Sequence, residues 1–440
     1  MRHSFIDRAL KPINKFMHYE NSGGILLFLS VIAALVLANS PWRETFHNIW
    51  ETNFSLRFGD QELSYSLHYW INDGLMAMFF FTVGLELKRE LLAGELSSFR
   101  KAILPFGAAV GGMVIPALLY VAVNAGEPSM RGWGIPMATD IVFALSIITL
   151  AGKRVPLSAK VFLVALATVD DLGAVLVIAL FYSSELSMAN LGIGFILISV
   201  LVVANWIGVR NMLFYAIIGI GGVWLAFLLS GVHATIAGVL VAFTIPSRTK
   251  IDSNEYAMEV NSLMERFDAE NPYKGPIITA KQHQLIEEIH ATSRNAQTPL
   301  QKLEGALHPW VAFLVIPLFA LSNAGVEVGS DFLEQIINPV TIGIVLGLVL
   351  GKLLGVTFFT WILVKLGIAG LPERVNWYHI IGVSLIAGVG FTMSLFITNL
   401  AFTEDYMIEQ AKYGILIASL IAGVAGFMIL KQGSKKNAEL

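Results

Sequence analysis

The chain has no cysteine and is poor in charge. None of its 440 residues is a cysteine, and only 14% are Asp, Glu, Lys or Arg. The first absence excludes disulfides and thiolate metal ligands. The second distinguishes the chain from soluble domains, in which about a quarter of the residues are charged. The net charge of -3 also lacks the basic excess that is typical of nucleic-acid binding.

Long apolar runs occur instead. Hydrophobic residues make up 55% of the chain, and the mean hydropathy is +0.68. Apolar stretches of about 18 residues predict membrane-spanning helices. They lie near 22–39, 70–87, 102–124, 134–150, 160–182, 190–207, 211–229, 231–246, 309–326, 340–364, 377–400 and 411–430. We therefore predict an all-α polytopic membrane protein of about twelve helices. The first run is followed by Asn-Ser-Pro-Trp rather than a small-residue cleavage site, which indicates a retained helix.

Lysine and arginine concentrate in every second connection between these helices, which predicts that both termini are cytoplasmic. The inner set is Arg2, Arg8, Lys11, Lys15, Lys88, Arg89, Arg100, Lys101, Lys153, Arg154, Lys160, Arg210, Arg248, Lys250, Arg266, Lys274, Lys281, Arg294, Lys302, Lys365, Arg374, Lys431, Lys435 and Lys436. The outer set is Arg43, Arg57, Arg131 and Lys412.

Two polar segments interrupt a single membrane domain that covers residues 1–440. Residues 43–68 lie outside, and apolar residues alternate there around Gly59-Asp60, which predicts either a β-hairpin or an ordinary loop. Residues 247–308 form a polar cytoplasmic insert. Its stretches 255–270 and 280–292 have helical composition, so we expect a pair of surface helices or partial disorder.

Four ionisable residues fall clearly within the predicted spans, where each costs about 2.5–3.5 kcal/mol and is usually functional. Asp170 and Asp171 lie about 16 Å from either end of the fifth helix, Lys352 is central in the tenth, and Asp140 is inside the fourth. A purely structural ion pair is the alternative interpretation. Three acids beside one base, however, leave negative charge that has to bind protons or attract a cation.

Helix geometry separates the two adjacent aspartates, because neighbouring residues point about 100° apart. We expect one of them to line a cavity with Asp140 and the other to turn towards Lys352. Sodium and lithium, like other hard cations, prefer oxygen ligands. Asp140, one aspartate of the pair, a Thr139 oxygen and water would complete such a site.

Helix-breaking residues occur in the fourth and eleventh spans. Pro136 precedes Asp140, and Gly388 and Gly390 precede Thr392. Paired interrupted helices are a pointer to a transporter site, although either could be a plain kink. Glycines at 343, 347, 351 and 355 in the tenth helix and at 107 and 111 in the third allow close packing. This pattern fits helices 3–5 and 10–12 as two related units.

Several strings of the sequence resemble the bacterial sodium/proton antiporters of the NhaA type. They are Val-Gly-Leu-Glu86-Leu-Lys-Arg89-Glu90-Leu, Pro-Met-Ala-Thr139-Asp140, Asp170-Asp171-Leu-Gly-Ala, Ser-Gly-Val-His233-Ala-Thr, Leu-His308-Pro-Trp, Gly-Lys352 and Gly-Val-Gly-Phe-Thr392-Met-Ser. The resemblance covers most of the chain outside the insert.

The resemblance implies two inverted repeats, helices 3–5 and 10–12, whose broken helices 4 and 11 cross at mid-membrane near Thr139 and Thr392. It implies that Asp140 and Asp171 bind sodium and that Asp171 exchanges protons for it. Asp170 would pair with Lys352 and share the proton. It further implies an electrogenic sodium (lithium)/proton antiporter without a cofactor or enzymatic activity. Such antiporters lie in the bacterial inner membrane, usually as homodimers that use the external hairpin.

The resemblance also implies regulation by pH through a cytoplasmic cluster of charged residues. The residues that match this cluster are Glu86, Arg89, Glu90, Glu304 and His308. His233 matches another residue of the family that is tied to the pH response. Two features depart from the family pattern. Gly305 stands where that pattern often has histidine, and the insert enlarges the loop that leads into the cluster. Because of both departures, the pH set point does not follow from the resemblance. From the residues alone, the three charges Glu86, Arg89 and Glu90 are typical of a solvated helix end. His233 is then interpreted as an interior histidine whose hydrogen bonds are satisfied within the protein.

Three other functions compete with antiport. An intramembrane aspartic protease could use Asp140 and Asp171, but its Gly-x-Gly-Asp signature is absent and Lys352 would have no role. A cation-coupled symporter of an organic solute would show sodium uptake that the solute stimulates. A cation channel would conduct without an opposing proton gradient.

Overall fold

The computed structural model describes residues 22–59, 61–152, 155–183, 186–270, 277–328 and 336–436, and this part of the chain is mostly helical. The helices are α1 (Ser22–Ala38), α2 (Arg43–Glu51), α3 (Leu67–Tyr69, the π-helical Trp70–Leu75 and Met76–Ala93), α4 (Phe99–Val123), α5 (the 3₁₀ helix Pro128–Met137), α6 (Ile141–Leu150), α7 (Leu157–Phe181), α8 (Met188–Trp206), α9 (Met212–Leu228), α10 (Ala234–Thr244), α11 (Ser253–Ala269), α12 (Ala280–Ala296), α13 (Pro299–Asn323), α14 (Pro339–Lys365), α15 (Trp377–Ile386), α16 (Phe391–Ala401) and α17 (Asp405–Lys436). Residues Arg2, Arg8, Lys11, Lys15, Asp60, Lys153, Arg154 and Lys274 lie outside the described residues.

The described helices confirm the all-α polytopic fold. Six are long and apolar enough to cross a membrane, and three bent pairs raise this number to as many as nine. The apolar helices α9 and α10 are shorter, and α3 ends in a charged segment that contains Glu86 and Arg89. With α3, α9 and α10 added to these nine, the described helices correspond to the twelve predicted crossings: α1, α3, α4, α5–α6, α7, α8, α9, α10, α13, α14, α15–α16 and α17.

Two helices depart from the expected boundaries. Within the polar segment 43–68, residues Arg43–Glu51 form α2, which turns 115° from α1 and buries Phe46. Its mixed charged and apolar residues gave no membrane-span signal. Helix α13 begins at Pro299, earlier than the predicted 309, because Thr298 and Gln301 form a capping box and the proline fits the first turn. The polar first turns of α13 are therefore continuous with the apolar span that follows them.

The two polar segments have regular structure. Strands β1 (Asn53–Phe58) and β2 (Gln61–Ser66) pair antiparallel, from Asn53 opposite Ser66 to Phe58 opposite Gln61. Gly59 enters their two-residue turn with φ +62°, a conformation that glycine adopts without strain. In the insert, α11 and α12 pack as a helical hairpin with Leu263 and Leu285 buried.

Two three-crossing units form one part of the molecule, which we call the repeat bundle. Each consists of a long helix, a broken helix and a second long helix: α4, α5–α6 and α7, then α14, α15–α16 and α17. The breaks bend the chain by 46° and 44°. As the third and tenth crossings, α4 and α14 traverse the membrane in opposite directions, so the two units are inverted. The other crossings, α1, α3, α8, α9, α10 and α13, form what we call the flanking bundle.

The long helices α4 and α14 cross closely at glycines. A Cβ on Gly355 would collide with the backbone of Gly111, and a Cβ on Gly112 would lie 2.8 Å from Val356. The glycines expected to allow close packing therefore do so between the two units. This contact brings Lys352 of α14 into the centre of the bundle.

Candidate ion site

The breaks in α5–α6 and α15–α16 contact each other directly. The backbone N–H of Asp140 donates to the carbonyl of Val389 at 2.7 Å, and the Ser394 hydroxyl donates to the carbonyl of Ile135 at 2.8 Å. Each break leaves backbone N–H and C=O groups without a hydrogen-bond partner in their own helix, and lipid cannot supply one. Where the two breaks cross, each provides hydrogen-bond partners for some of these groups of the other.

Glycine makes this crossing possible. A Cβ on Gly390 would lie 2.9 Å from the carbonyl oxygen of Ala138 in the opposite break, and one on Gly388 would collide with the backbone of Leu348. A larger residue at Gly390 would push the two breaks apart, and one at Gly388 would push α15–α16 away from α14. The close approach thus requires the glycines that the sequence singled out.

Asp140 is held by the N-termini of two helices. It caps α6, where its Oδ1 accepts a hydrogen bond from the N–H of Phe143 at 3.0 Å. Its Oδ2 accepts from the N–H and the hydroxyl of Thr392, at 3.0 and 2.6 Å, at the start of α16. Helix N-termini carry partial positive charge. The 2% exposed carboxylate is therefore stabilised by hydrogen-bond donors and dipoles rather than by a basic side chain.

Asp170 forms a buried ion pair with Lys352. Its Oδ2 accepts from the ammonium group of Lys352, and both side chains are fully buried. The Thr139 hydroxyl lies 2.8 Å from the same oxygen and 2.8 Å from the carbonyl of Ala387. Since it has one proton, it donates to one acceptor at a time. Thr139 thus links the ion pair to the opposite break.

Asp171 is buried without a basic partner. It is 2% exposed, and within the described residues its Oδ1 has no hydrogen-bond partner, nor has the Oδ1 of Asp170. The arrangement separates Asp140, bound by helix N-termini, from Asp170, paired with lysine. Within the described residues, Asp171 remains as the acid that has neither an ion pair nor a helix N-terminus of its own.

A second charged cluster joins α3 to α13, and we call it the Arg89 cluster. Arg89 lies 3.0 Å from carboxylate oxygens of Glu90 and Glu304 and 3.9 Å from Glu86. His308 follows one turn after Glu304 and is exposed, and in the described part of the chain its ring has no ion pair or hydrogen bond. Gly305 borders open space, where a Cβ would meet nothing within 4 Å.

His233 lies away from that cluster, at the beginning of α10. Its Nε2 is 2.9 Å from the carbonyl of Tyr182, and its Nδ1 is 4.0 Å from Asp73. Lys88, next to Arg89, instead bonds the carbonyls of Phe243 and Ile245 at the other end of α10. The length of α10 places His233 about 16 Å from the Lys88 contacts. The structure therefore brings five of the six expected pH-response residues to one end and His233 to the other.

Sequence reasoning missed several polar residues of these spans. Asp73, which faces His233, lies in the predicted second span but was not counted among its ionisable groups. Ser394 stands in the recognised string yet gave no sign of its bond across the crossing. A search for every polar residue in an apolar run would have found both.

The twelve crossings and the inverted broken-helix units define a polytopic α-helical membrane protein with a charged site at its centre. A family model described as "Na+/H+ antiporter 1" matches residues 14–430, so the chain belongs to this family. It is 48% identical over 97% of its length to the "Na(+)/H(+) antiporter NhaA" of Oleidesulfovibrio alaskensis, and it covers 95% of that protein. The NhaA of Christiangramia forsetii is 48% identical, with 98% and 97% of the two chains covered. That of Acidithiobacillus ferrooxidans is 46% identical, with 98% and 99% covered.

Proposed function

We propose that the chain is an electrogenic sodium (lithium)/proton antiporter, which exports sodium in exchange for inward protons. The observation that carries this proposal is the site of three fully buried carboxylates and one lysine at the crossing of two broken helices. Its family membership and its relatives, which are named Na(+)/H(+) antiporters, give independent support. Such exchange requires no covalent chemistry, so the protein is a transporter and not an enzyme.

The mechanism is competition at one site. A buried carboxylate without a base is stable when it is protonated or when it binds a cation. Asp171 takes either a proton or, together with Asp140, a sodium ion, whose preferred ligands are oxygens. Thr139 and Thr392 fix the geometry of the carboxylates. Asp170 and Lys352 share a second proton, which makes the exchange electrogenic.

Orientation, assembly and regulation belong to the same proposal. Both termini face the cytoplasm of a bacterium, the β-hairpin lies outside the inner membrane, and two copies pair through it. The Arg89 cluster with His308 adjusts activity to pH from the cytoplasmic side, and His233 contributes from the other. The hairpin's exposed Phe54 and Leu56 suit such an interface, since they are 50% and 51% exposed.

The test is cation-induced pH change in everted vesicles or proteoliposomes, with sodium, lithium and potassium added across acid to alkaline pH. Sodium and lithium should dissipate an imposed proton gradient. Asp171→Asn should abolish this response, by at least about 100-fold, because it removes the exchangeable charge. The matched control is Asp268→Asn on the exposed surface of α11, which should retain full exchange.

Normal exchange in a correctly inserted Asp171→Asn protein would contradict the role of Asp171. No response of the parent protein at any pH would contradict antiport altogether. In that case, sodium uptake that requires an added organic solute would support the symporter instead.

A further inference from the structure

A cluster of neutral polar side chains connects the two bundles at the end opposite the Arg89 cluster. It consists of His68 and Asn72 on α3, Asn323 at the end of α13, and Asn399 on α16. Asn323 is fully buried and Asn72 is 8% exposed. Polar groups in this position are expensive unless they are paired. Their pairing therefore requires α3, α13 and α16 to hold one particular arrangement.

Asn323 is the centre of this asparagine cluster. Its Oδ1 accepts from Nδ2 of Asn399 at 2.6 Å and lies 3.0 Å from Nε2 of His68. Its Nδ2 donates to Oδ1 of Asn72 at 3.0 Å and to the carbonyl of Phe319 at 2.9 Å. Asn399 belongs to the repeat bundle, whereas the other three belong to the flanking bundle. The bond from Asn399 to Asn323 therefore crosses between the bundles.

A layer of phenylalanines comes from the same three helices. Phe80 of α3 and Phe319 of α13 both pack on Phe396 of α16, with ring centroids 5.3 and 6.3 Å apart. All three rings are at most 1% exposed. On α16, Thr392, Phe396 and Asn399 follow at spacings of four and three residues, which places them on one face. The layer thus lies between the asparagine cluster and the Thr392 hydroxyl that holds Asp140.

We propose that the asparagine cluster and this phenylalanine layer are the outer gate of the ion site. The proposal rests on the proposed function, which makes this end of the molecule the external one. Transporters with inverted repeats open by moving one bundle against the other. Any such movement that opens the outer side has to break the bond between Asn399 and Asn323. Neutral amides suit this task, because a broken pair can re-form with water and leaves no buried charge.

The sharpest test is Asn399→Ala, which removes the bond that crosses between the bundles and leaves the other three members paired. Weakening the closed state increases the population of the outward-open state. In proteoliposomes of defined orientation, KM for external sodium should fall by about five-fold, the size expected for one buried hydrogen bond. KM for internal sodium should not fall.

The matched control is Asn124→Ala. Asn124 is also a fully buried asparagine; its Nδ2 bonds the carbonyls of Tyr120 and Pro339, and its Oδ1 accepts from Ser129. These contacts all lie within the repeat bundle or its loops. The control should therefore leave the ratio of external to internal KM unchanged, even if it destabilises the protein.

A second variant, Asn323→Leu, should lower the external KM at least as much, because it removes the same bond between the bundles as well as the bonds to His68 and Asn72. Adding Asn399→Ala to it should change little, because the bond that the two residues share is already gone. An unchanged external KM in folded Asn399→Ala, or equal changes of KM on both faces, would overturn the gate.

A readout that needs no transport separates the gate from the function. The chain has no cysteine, so a single Leu395→Cys, at a position 1% exposed on α16, reports access alone. An impermeant maleimide added outside should label it several-fold faster when Asn399 is replaced by alanine. If labelling became faster but the protein exchanged no sodium, the gate proposal would be supported and the antiport proposal contradicted. Unchanged labelling would reject the gate whatever the protein transports.

Discussion

The ion site and the Arg89 cluster contain the same charges in different surroundings. Each places three carboxylates beside one base: Asp140, Asp170 and Asp171 with Lys352, and Glu86, Glu90 and Glu304 with Arg89. The side chains of the Arg89 cluster are 14% to 40% exposed. Those of the ion site are at most 2% exposed. Burial is therefore the main variable that distinguishes them.

This difference determines what each set of charges can do. Near water, excess negative charge is screened, and an exposed ion pair contributes about 0–1 kcal/mol. In the interior, loss of one partner leaves a charge without compensation, at about 3–5 kcal/mol. The Arg89 cluster can thus be altered without loss of the fold, as the proposed regulation by pH requires. The buried set tolerates no uncompensated change, as the proposed exchange of a proton for a cation requires.

The largest effect on stability is expected for Lys352→Met. It leaves the Asp170 carboxylate buried without its base, and should destabilise the protein by about 3–5 kcal/mol. The loss of stability is measured by unfolding the detergent-solubilised protein with heat or denaturant. Arg89→Met should destabilise the protein by no more than about 1 kcal/mol, because its partners remain partly hydrated.

The double variant Lys352→Met with Asp170→Asn removes both charges and should recover most of the stability, although not the transport. If Lys352→Met and Arg89→Met were equally mild, burial would not be the variable that separates the two clusters.

A smaller effect is expected at Thr392, whose hydroxyl donates to Asp140 at 2.6 Å. In Thr392→Val this donor is lost while the backbone N–H remains. Because hydrogen-bond donors stabilise the ionised carboxylate, their loss favours its protonated form, which competes with sodium. KM for sodium should rise about ten-fold at acidic pH, and less at alkaline pH where protons compete weakly.

Thr392→Ser keeps the hydroxyl and serves as the control, with a KM close to that of the parent. A uniform loss of maximal rate in Thr392→Val, without the pH-dependent change in KM, would show that the hydroxyl supports packing rather than the charge of Asp140.

Much of this arrangement was predictable from the sequence, because apolar length and mid-span charge are local signals. They located the crossings, Asp140, Asp170, Asp171 and Lys352. The partners of these residues were less accessible, since they depend on how distant helices align. Nothing near Asp140 indicates that Thr392, on another broken helix, supplies two of its donors. The asparagine cluster was not predictable from mid-span charge, since an asparagine amide carries none.

The smallest effect on transport rate, and the one most specific to pH, is expected at Glu304. Glu304→Gln removes one carboxylate beside Arg89 and keeps the shape of the side chain, so Glu86 and Glu90 remain to pair the arginine. The pH of half-maximal exchange should move by about half a unit or more, while the maximal rate changes less than about two-fold. His308→Gln should do the same if its ring titrates with the cluster.

Screening distinguishes this effect from a change at the ion site. The Arg89 cluster is partly hydrated, so raising ionic strength with choline chloride should reduce the difference between the pH profiles of Glu304→Gln and the parent. The effect of Thr392→Val should persist in the same salt, because Asp140 is buried. An unchanged profile in both Glu304→Gln and His308→Gln would exclude these residues from pH sensing. A salt-insensitive shift would mean that Glu304 acts through the buried carboxylates, not through the partly hydrated Arg89 cluster.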